Sequence, residues 1–142
     1  MKNAIASIVT AVLMTLSFSS FAIAPRTNPL KVNEAKEILL TYVEAVSVGY
    51  TDLNNYIFSD DFQYESATDN KKYNKKVYLD YLKKNKGLVY QCETNSQILD
   101  QTGDTALAKT TLKFATFSRV DHISLIRTTD GWKVNKVVTS YL

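Results

Sequence analysis

The end of the chain, residues 119–142, is predicted to form two β-strands joined by the Asp-Gly pair at 130–131. Asp-Gly between two alternating segments is the strongest short-range signal for a β-hairpin, because both central residues of a type I′ turn need positive φ. A two-residue loop also determines which residues face each other across the two strands. With this loop, Leu125 faces Lys136 across the two strands. Because strand side chains alternate, each residue of the hairpin can then be assigned to one of its two faces.

One face of this hairpin is more apolar than the other and holds the only Trp of the chain. It carries Ile123, Leu125, Trp132, Val134 and Val138. We therefore predict that this face points into the core. This orientation also places Asp121 and Lys136 on the inward side. Because an unpaired buried charge is costly, Lys136 must then pair with a carboxylate or reach the rim. His122, the only His, lies on the outward face.

The composition is typical of a single domain stabilised by its own core. The chain has 142 residues, of which 45% are hydrophobic, with nine Tyr and six Phe. Its one Cys, Cys92, cannot form a disulfide within the chain. A net charge of +3 and a local lysine cluster at 71–76 fall short of the broad basic face that nucleic-acid binding needs. One His and one Cys offer no set of metal ligands, no nucleophilic triad is indicated, and no metal or cofactor is expected.

The first residues are predicted to be a secretory signal peptide. Lys2 supplies the positive charge, residues 5–16 supply the apolar run, and small residues follow. Cleavage after Ala22 is preferred over cleavage after Ala24, which would place Pro25 directly after the cut. The apolar run is short for a membrane-spanning helix. We therefore expect an exported protein, periplasmic or secreted, with no stable membrane insertion after the signal peptide, residues 1–22, has been removed.

The rest of the chain is predicted to have its helices first and its long strands afterwards. A lead-in at 23–32 precedes one domain at 33–142. Periodic apolar residues predict helices at 33–48, 53–58 and 75–84, a short strand at 62–66, and long strands at 88–100 and 105–118 ahead of the hairpin. This order is typical of an α+β fold with the helices on one face of the sheet.

The hairpin also carries a family resemblance. Val120-Asp121-His122 with Leu125, and then residues 130–134 followed by Asn135-Lys136-Val137, resemble the nuclear transport factor 2-like superfamily, and within it the putative lumazine-binding branch. Here the turn is one residue shorter and His122 replaces the usual aromatic residue. The resemblance implies a SnoaL-like or ketosteroid isomerase-like cone, which is a curved antiparallel or mixed sheet wrapped around about three N-terminal helices. This cystatin-like α+β roll has a pocket at its open end.

Ketosteroid isomerases share the implied fold and suggest roles for individual residues. The contexts of Tyr42, in residues 42–46, and of Asp121, in residues 120–123, resemble the two isomerase groups that donate hydrogen bonds to an enolate. The general base of those enzymes falls at Ser66, which is a hydroxyl. The resemblance therefore implies a polar pocket floor without the base, and Glu65 is expected on the opposite strand face. Asp121 is read either as an acid kept neutral by burial or as a carboxylate paired with Tyr42, Lys136 or a backbone N–H.

The pocket candidates are the inward polar and aromatic residues of these segments. They are Tyr42, Phe58, Tyr64, Ser66, Asp121, Ile123, Trp132 and Lys136. The preferred function is the binding of a small, largely apolar ligand of unknown identity. The alternatives are an isomerase or dehydratase that uses Tyr42 and Asp121, and a dimeric scaffold without a ligand. A homodimer through the sheet is a further expectation, and no catalytic residue is assigned.

Overall fold

The helices and strands form along residues 26–142, which are the residues that the structure, a computed structural model, describes. The helices are α1 (Ala35–Ser47), α2 (Asn54–Ile57) and α3 (Lys75–Lys84). The strands are β1 (Phe58–Ser66), β2 (Lys72–Asn74), β3 (Glu93–Thr102), β4 (Thr105–Lys113), β5 (Ser118–Thr128) and β6 (Gly131–Tyr141). The predicted signal peptide and both predicted cleavage positions lie outside the described residues.

Six strands form one mixed sheet in the order β2-β1-β6-β5-β4-β3. Strand β1 is parallel to β6, and all other neighbours are antiparallel. The sheet is curved and does not close on itself, and its concave side faces α1, which contacts β3, β4 and β6. The predicted α+β cone is confirmed.

Helix α1 forms where apolar residues recur at helical spacing and a side chain satisfies the first turn. The backbone N–H of Glu34 donates to Glu37 Oε2 at 2.8 Å, as in a capping box. Ile38, Leu39 and Tyr42 are buried and lie on the helix face that is turned to the sheet. The helix therefore supplies the central part of the core.

The turn of the terminal hairpin lies one residue earlier than predicted. Thr128 pairs with Gly131, so the two loop residues are Thr129 and Asp130. Gly131 has φ +96°, which is typical of a tight turn followed by a residue in the left-handed region. The Thr128 hydroxyl supports the turn, because it accepts the Asp130 N–H at 3.1 Å and donates to the Gly131 carbonyl at 2.8 Å.

A bulge in β6 changes the register a second time. Leu125 pairs with Val134 and Ser124 pairs with Lys136, which leaves Asn135 as an extra residue. A bulge of this kind moves all later side chains of the strand to the opposite face. The predicted face is therefore correct as far as Val134 and wrong beyond it.

The residues that follow the bulge show the consequence. Val137 and Thr139 are buried at 0% exposure, whereas Val138 is only half-buried. Lys136 lies on the outer face, where its Nζ is 3.5 Å from Glu65 Oε2. The predictions that Val138 and Lys136 point inward are wrong, and the carboxylate that Lys136 meets is outside the cone.

Helix α3 begins and ends where it was predicted, at Lys75 and Lys84. The neighbouring strand β1 begins earlier than the predicted strand at 62–66, because Phe58 pairs with Val134 of β6 and is buried there. Between β1 and α3, the short strand β2 extends the sheet at its edge.

Strands β3 and β4 are shorter than predicted at the open end of the cone. Strand β3 begins at Glu93 rather than at residue 88, and β4 ends at Lys113 rather than at residue 118. The backbone N–H of Phe114 donates to the carbonyl of Phe117 at 2.9 Å. This turn ends the strand, because its residues bond locally rather than to a neighbouring strand.

The lead-in before α1 packs on the hairpin turn. The side-chain amide of Asn28 donates to the Asp130 carbonyl at 2.8 Å, and Leu30 belongs to the core. A Cβ on Gly131 would lie 2.7 Å from the Lys31 carbonyl oxygen. The turn therefore needs glycine both for its φ and for the close approach of this segment.

Candidate functional site

The buried carboxylate of Asp121 is the centre of a polar network inside the cone. Tyr42 Oη donates to Asp121 Oδ2 at 2.8 Å, and Thr139 Oγ1 donates to Oδ1 at 2.7 Å. Arg119 donates from Nε to Oδ1 at 2.9 Å and from Nη2 to Oδ2 at 3.0 Å. Both oxygens therefore accept two hydrogen bonds each, and the carboxylate is fully used as an acceptor.

The strand pattern brings these groups together. Arg119 and Asp121 are two residues apart on β5, so their side chains lie on the same face. Thr139 is directly opposite Asp121 on β6, and the bulge at Asn135 is what turns Thr139 inward. Tyr42 reaches the network from α1, and its hydroxyl lies 3.4 Å from the hydroxyl of Tyr78 on α3.

The electrostatics of the network keep its phenols neutral and its guanidinium charged. Burial, followed by the Asp121 charge, raises the pKa of Tyr42 well above its ordinary value. Burial works against the charge on Arg119, but the Asp121 carboxylate, the neighbouring phenols of Tyr42 and Tyr78 and the hydrogen bonds to Asp121 together raise the pKa of that guanidinium. The network therefore consists of one ion pair with neutral donors around it.

A cavity of about 380 Å³ lies above this network, at the open end of the cone. Five of its wall residues are tyrosines. They are Tyr64, Tyr73, Tyr78, Tyr81 and Tyr141. Arg119, Ser66, Asp69 and Val77 complete the wall, so Arg119 belongs both to the buried network and to the cavity.

The tyrosines form a continuous aromatic surface rather than isolated contacts. The rings of Tyr64 and Tyr78 are stacked with centroids 4.9 Å apart, and Tyr73 stacks on Tyr64 at 6.0 Å. Tyr81 follows Tyr78 at 6.2 Å. Burial is the first cause that raises the pKa of Tyr64 and of Tyr78, so both remain neutral donors at ordinary pH.

The eight predicted pocket residues are placed in four different environments. Tyr64 and Ser66 line the cavity, while Tyr42 and Asp121 lie beneath it in the buried network. The other four lie away from the cavity wall. Phe58, Ile123 and Trp132 are core residues, and Lys136 is on the outer face.

The cavity residues that sequence reasoning missed are Arg119, Asp69, Val77 and four of the tyrosines. Arg119 carried a usable signal, because it stands two residues before Asp121 and so shares its strand face. Tyr141 stands two residues after Thr139, but the bulge concealed that relationship. Tyr78 and Tyr81 belong to the periodic apolar residues that predict α3, and this pattern alone does not indicate a cavity.

The groups that could act as a base or bind a metal are arranged as follows. Glu65 is next to Ser66 on β1 and pairs with Lys136 on the outer face, and His122 is exposed on the same side of the sheet. Within residues 26–142, no cluster of three or more His, Cys, Asp or Glu side chains is suited to hold a metal ion. None of the described helices is long and apolar enough to cross a membrane.

Solved structures with the same architecture share little sequence with this chain. An NTF-2 like protein of unknown function from Silicibacter pomeroyi DSS-3 is similar with TM-score 0.62 and 13% identity, covering 75% of this chain and 92% of that one. An NTF2-like protein of unknown function from Shewanella baltica OS155 gives 0.57 and 18%, covering 75% and 90%. A putative ketosteroid isomerase from Shewanella frigidimarina NCIMB 400 gives 0.59 and 15%, covering 73% and 92%.

These likenesses establish the nuclear transport factor 2-like fold and nothing beyond it. A search among curated proteins finds no match. At the level of families, residues 31–139 match the family described as putative lumazine-binding. That match covers most of the chain and, apart from the last two residues of β6, all nine elements of the fold, and the protein is therefore a member of the putative lumazine-binding family.

Proposed function

We propose that this protein is an exported binding protein that holds a small, flat, largely apolar ligand in its tyrosine-lined cavity. The observation that supports it most directly is the aromatic surface around a cavity of about 380 Å³. Ligand sites in proteins typically measure about 300–1,000 Å³ and are lined by aromatic groups with a few polar ones. A flat ring of one or two cycles is small enough for this space and stacks on phenol rings.

The arrangement of the rings favours a planar ligand over a globular one. Tyr64 and Tyr78 are within 14° of parallel, and Tyr64 and Tyr73 within 23°. Tyr73 and Tyr81 are 37% and 48% exposed at the rim. Offset stacking against such rings contributes about 0.5–1.5 kcal/mol per pair beyond the burial of apolar area. A ligand therefore gains the most binding free energy if its ring continues the existing stack of tyrosine rings.

The chemistry of the polar groups favours binding over catalysis. Asp121 and Tyr42 bond to each other beneath the cavity, so the pair is occupied within the protein. Ser66 lines the cavity at the position where isomerases of this fold carry a base, and a hydroxyl is not itself a base near neutral pH. The nearby carboxylate of Asp69 bonds to Ser66 and is paired with Lys71 at the exposed rim. Glu65 is engaged with Lys136 on the outer face.

The family description supplies the first probe. Lumazine has two fused flat rings, which suits the stack, and it is tested beside the uncharged bicyclic naphthalene-2-carboxamide. Binding is measured by calorimetry and by the change in Trp132 and tyrosine fluorescence. We expect saturable binding of at least one probe, with a 1:1 stoichiometry.

The variants that test the site are rim substitutions that leave the core intact. Tyr81→Ala removes one ring of the wall, and we expect affinity to fall about 2- to 12-fold, the equivalent of one stacking contact. Tyr50→Ala is the matched control, because Tyr50 is 41% exposed and lies away from the cavity. An absence of saturable binding of either probe, or equal effects of the two variants, would contradict the proposal.

Export is the second part of the proposal and rests on the sequence. Lys2, the apolar run at 5–16 and the small residues near Ala22 support a signal peptide that is removed on the way out. Expression of the full chain with its own N-terminus, followed by N-terminal sequencing of the exported fraction, is expected to give a first residue of Ile23 or Pro25. An intact chain that begins at Met1 and stays in the cytoplasm would contradict it.

A further inference from the structure

Arg119 occupies an unusual position, because it is 8% exposed and yet lines the cavity. One edge of its guanidinium, formed by Nε and Nη2, is bonded to Asp121 at 2.9 and 3.0 Å. The guanidinium is a planar group with five N–H donors in a fixed fork. The remaining nitrogen, Nη1, therefore points away from Asp121, and its donors have no acceptor among the described residues.

The Nη1 edge is not sealed inside the protein. In residues 26–142, the fully enclosed side-chain nitrogen and oxygen atoms without a hydrogen-bond partner are Asn54 Oδ1 and Asn135 Oδ1. Nη1 of Arg119 is not one of these enclosed atoms, and its residue borders the tyrosine-lined cavity. The larger of the spaces that Arg119 borders is the tyrosine-lined cavity.

The rest of the cavity wall offers mainly hydrogen-bond donors and little negative charge. Its side chains include five phenols and the Ser66 hydroxyl. The single carboxylate of the wall, Asp69, is at the exposed rim and is 3.2 Å from Lys71 Nζ. A ligand that complements this wall carries acceptors at its deep end and an aromatic body above them.

We propose that the ligand of this cavity is an aromatic carboxylate, whose carboxylate accepts hydrogen bonds from Nη1 of Arg119 while its ring packs against the tyrosine wall and continues its stack. This inference rests on the proposed function and adds the chemical class of the ligand. A charge-assisted hydrogen bond of this kind is about twice as strong as one between neutral groups. The cavity then selects by charge at its base and by shape at its wall.

The charges present favour a monoanion over a phosphate. Arg119 already balances Asp121, so the pair as a whole is neutral and offers one free edge. A carboxylate adds one negative charge at that edge. A phosphate adds close to two, and it would do so beside Asp121 with no second cation from the described wall residues to compensate it.

The test compares two probes that differ only in charge, naphthalene-2-carboxylate and naphthalene-2-carboxamide, on the full mature chain. We expect the carboxylate to bind about tenfold more tightly than the amide. In Arg119→Lys the ammonium stays beside Asp121 but the Nη1 edge is lost. We expect this variant to bind the two probes about equally, because the carboxylate loses more affinity than the uncharged amide.

The control for folding is the urea midpoint of Arg119→Lys, compared with that of the wild type. Lys71→Gln is the matched cation control, because Lys71 is an exposed lysine at the rim; it is expected to leave the preference unchanged. Competition with acetate and with inorganic phosphate compares the two anions, and acetate is expected to compete better.

The outcomes separate the two proposals. Equal affinity of the wild type for both probes, or a preference that survives in Arg119→Lys, overturns the carboxylate inference and leaves the binding function intact. Loss of the preference in Lys71→Gln overturns the assignment to Arg119. Stronger competition by phosphate than by acetate overturns the assignment to a carboxylate. If neither probe binds the folded wild type, both proposals fall together.

Discussion

Arg119 and Asp121 form a two-pronged ion pair between residues two positions apart on one strand, with Nε to Oδ1 at 2.9 Å and Nη2 to Oδ2 at 3.0 Å. Asp121 is 0% exposed and Arg119 is 8% exposed. Asp121 therefore lies in a fully buried part of the cone, where Tyr42 and Thr139 complete its hydrogen bonds. Arg119 also borders the open cavity.

Removing the charge of Asp121 should lower the free energy of unfolding by several kcal/mol, about 3–5. In Asp121→Asn the shape is kept, but Arg119 becomes a buried cation without an anion, and such a change costs about 3–5 kcal/mol. Glu65→Gln is the matched substitution in the exposed pair with Lys136, where the side chains are 27% and 44% accessible, and it should cost less than about 1 kcal/mol. Urea unfolding measures both, and similar costs would contradict the buried pair as a stabilising unit.

Alkaline pH should destabilise the fold through the buried phenols. The pKa values of Tyr42 and Tyr78 are raised from 10.0 in the folded state, while the unfolded chain keeps the ordinary value. Their contribution is therefore fully present below about pH 10 and is lost as the pH rises further, because the unfolded state alone releases these protons.

The measurement is the free energy of unfolding in urea between pH 8 and pH 11, with absorbance at 295 nm to follow phenolate formation. Tyr42→Phe and Tyr78→Phe should each flatten the fall in stability above pH 10. Tyr50→Phe, an exposed tyrosine, is the control and should not. An identical slope in all four proteins would show that the buried phenols do not cause the loss.

The sequence predicted the fold because its strongest signals are local. The periodic apolar residues of α1, the exact bounds of α3 and the alternation of β5 all follow from patterns within one element. The buried position of Asp121 followed in the same way. What could not be predicted was the bulge at Asn135, since an extra residue in a strand is determined by pairing with its neighbours and leaves no pattern of its own.

The candidate site was predicted less well for the same physical reason. Tyr64 and Ser66 were placed on the cavity because their strand aligns with a related fold, but the other wall residues come from α3, β2 and the end of β6. Their meeting depends on how those elements are packed. Lys136 and Thr139 exchanged faces through the one-residue shift, so the network partner of Asp121 was overlooked.

Two adjacent valines test this register directly. Val137 is 0% exposed and belongs to the core, whereas Val138 is half-buried on the other face. Val137→Ala should cost about 2 kcal/mol, from two lost carbon groups and a residual cavity. Val138→Ala should cost clearly less. If urea unfolding shows a larger loss of unfolding free energy for Val138→Ala than for Val137→Ala, the result would contradict the bulge and support the register without it.

Trp132 should be one of the largest single contributors to stability. It is 3% exposed in the core cluster, and Arg127 lies over its ring at 5.2 Å. Trp132→Ala should therefore cost about 3–5 kcal/mol, as large aromatic truncations in cores do. Phe117→Ala is the control, because Phe117 is 45% exposed. A loss below about 1 kcal/mol for Trp132→Ala would place that ring at the surface.

Gly131 tests whether the lead-in is part of the folded domain. Gly131→Ala puts a Cβ at φ +96° and 2.7 Å from the carbonyl oxygen of Lys31, so it combines backbone strain with a clash. Gly103→Ala is the matched control, because Gly103 also has positive φ, +56°, with open space around it, and it carries the strain alone, about 1 kcal/mol. We expect Gly131→Ala to lower the free energy of unfolding clearly more than Gly103→Ala. Equal losses would mean that residues 28–31 do not pack on the turn. If they do, deletion of residues 26–31 should remove the extra cost of Gly131→Ala while leaving that of Gly103→Ala unchanged, since only the former depends on Lys31.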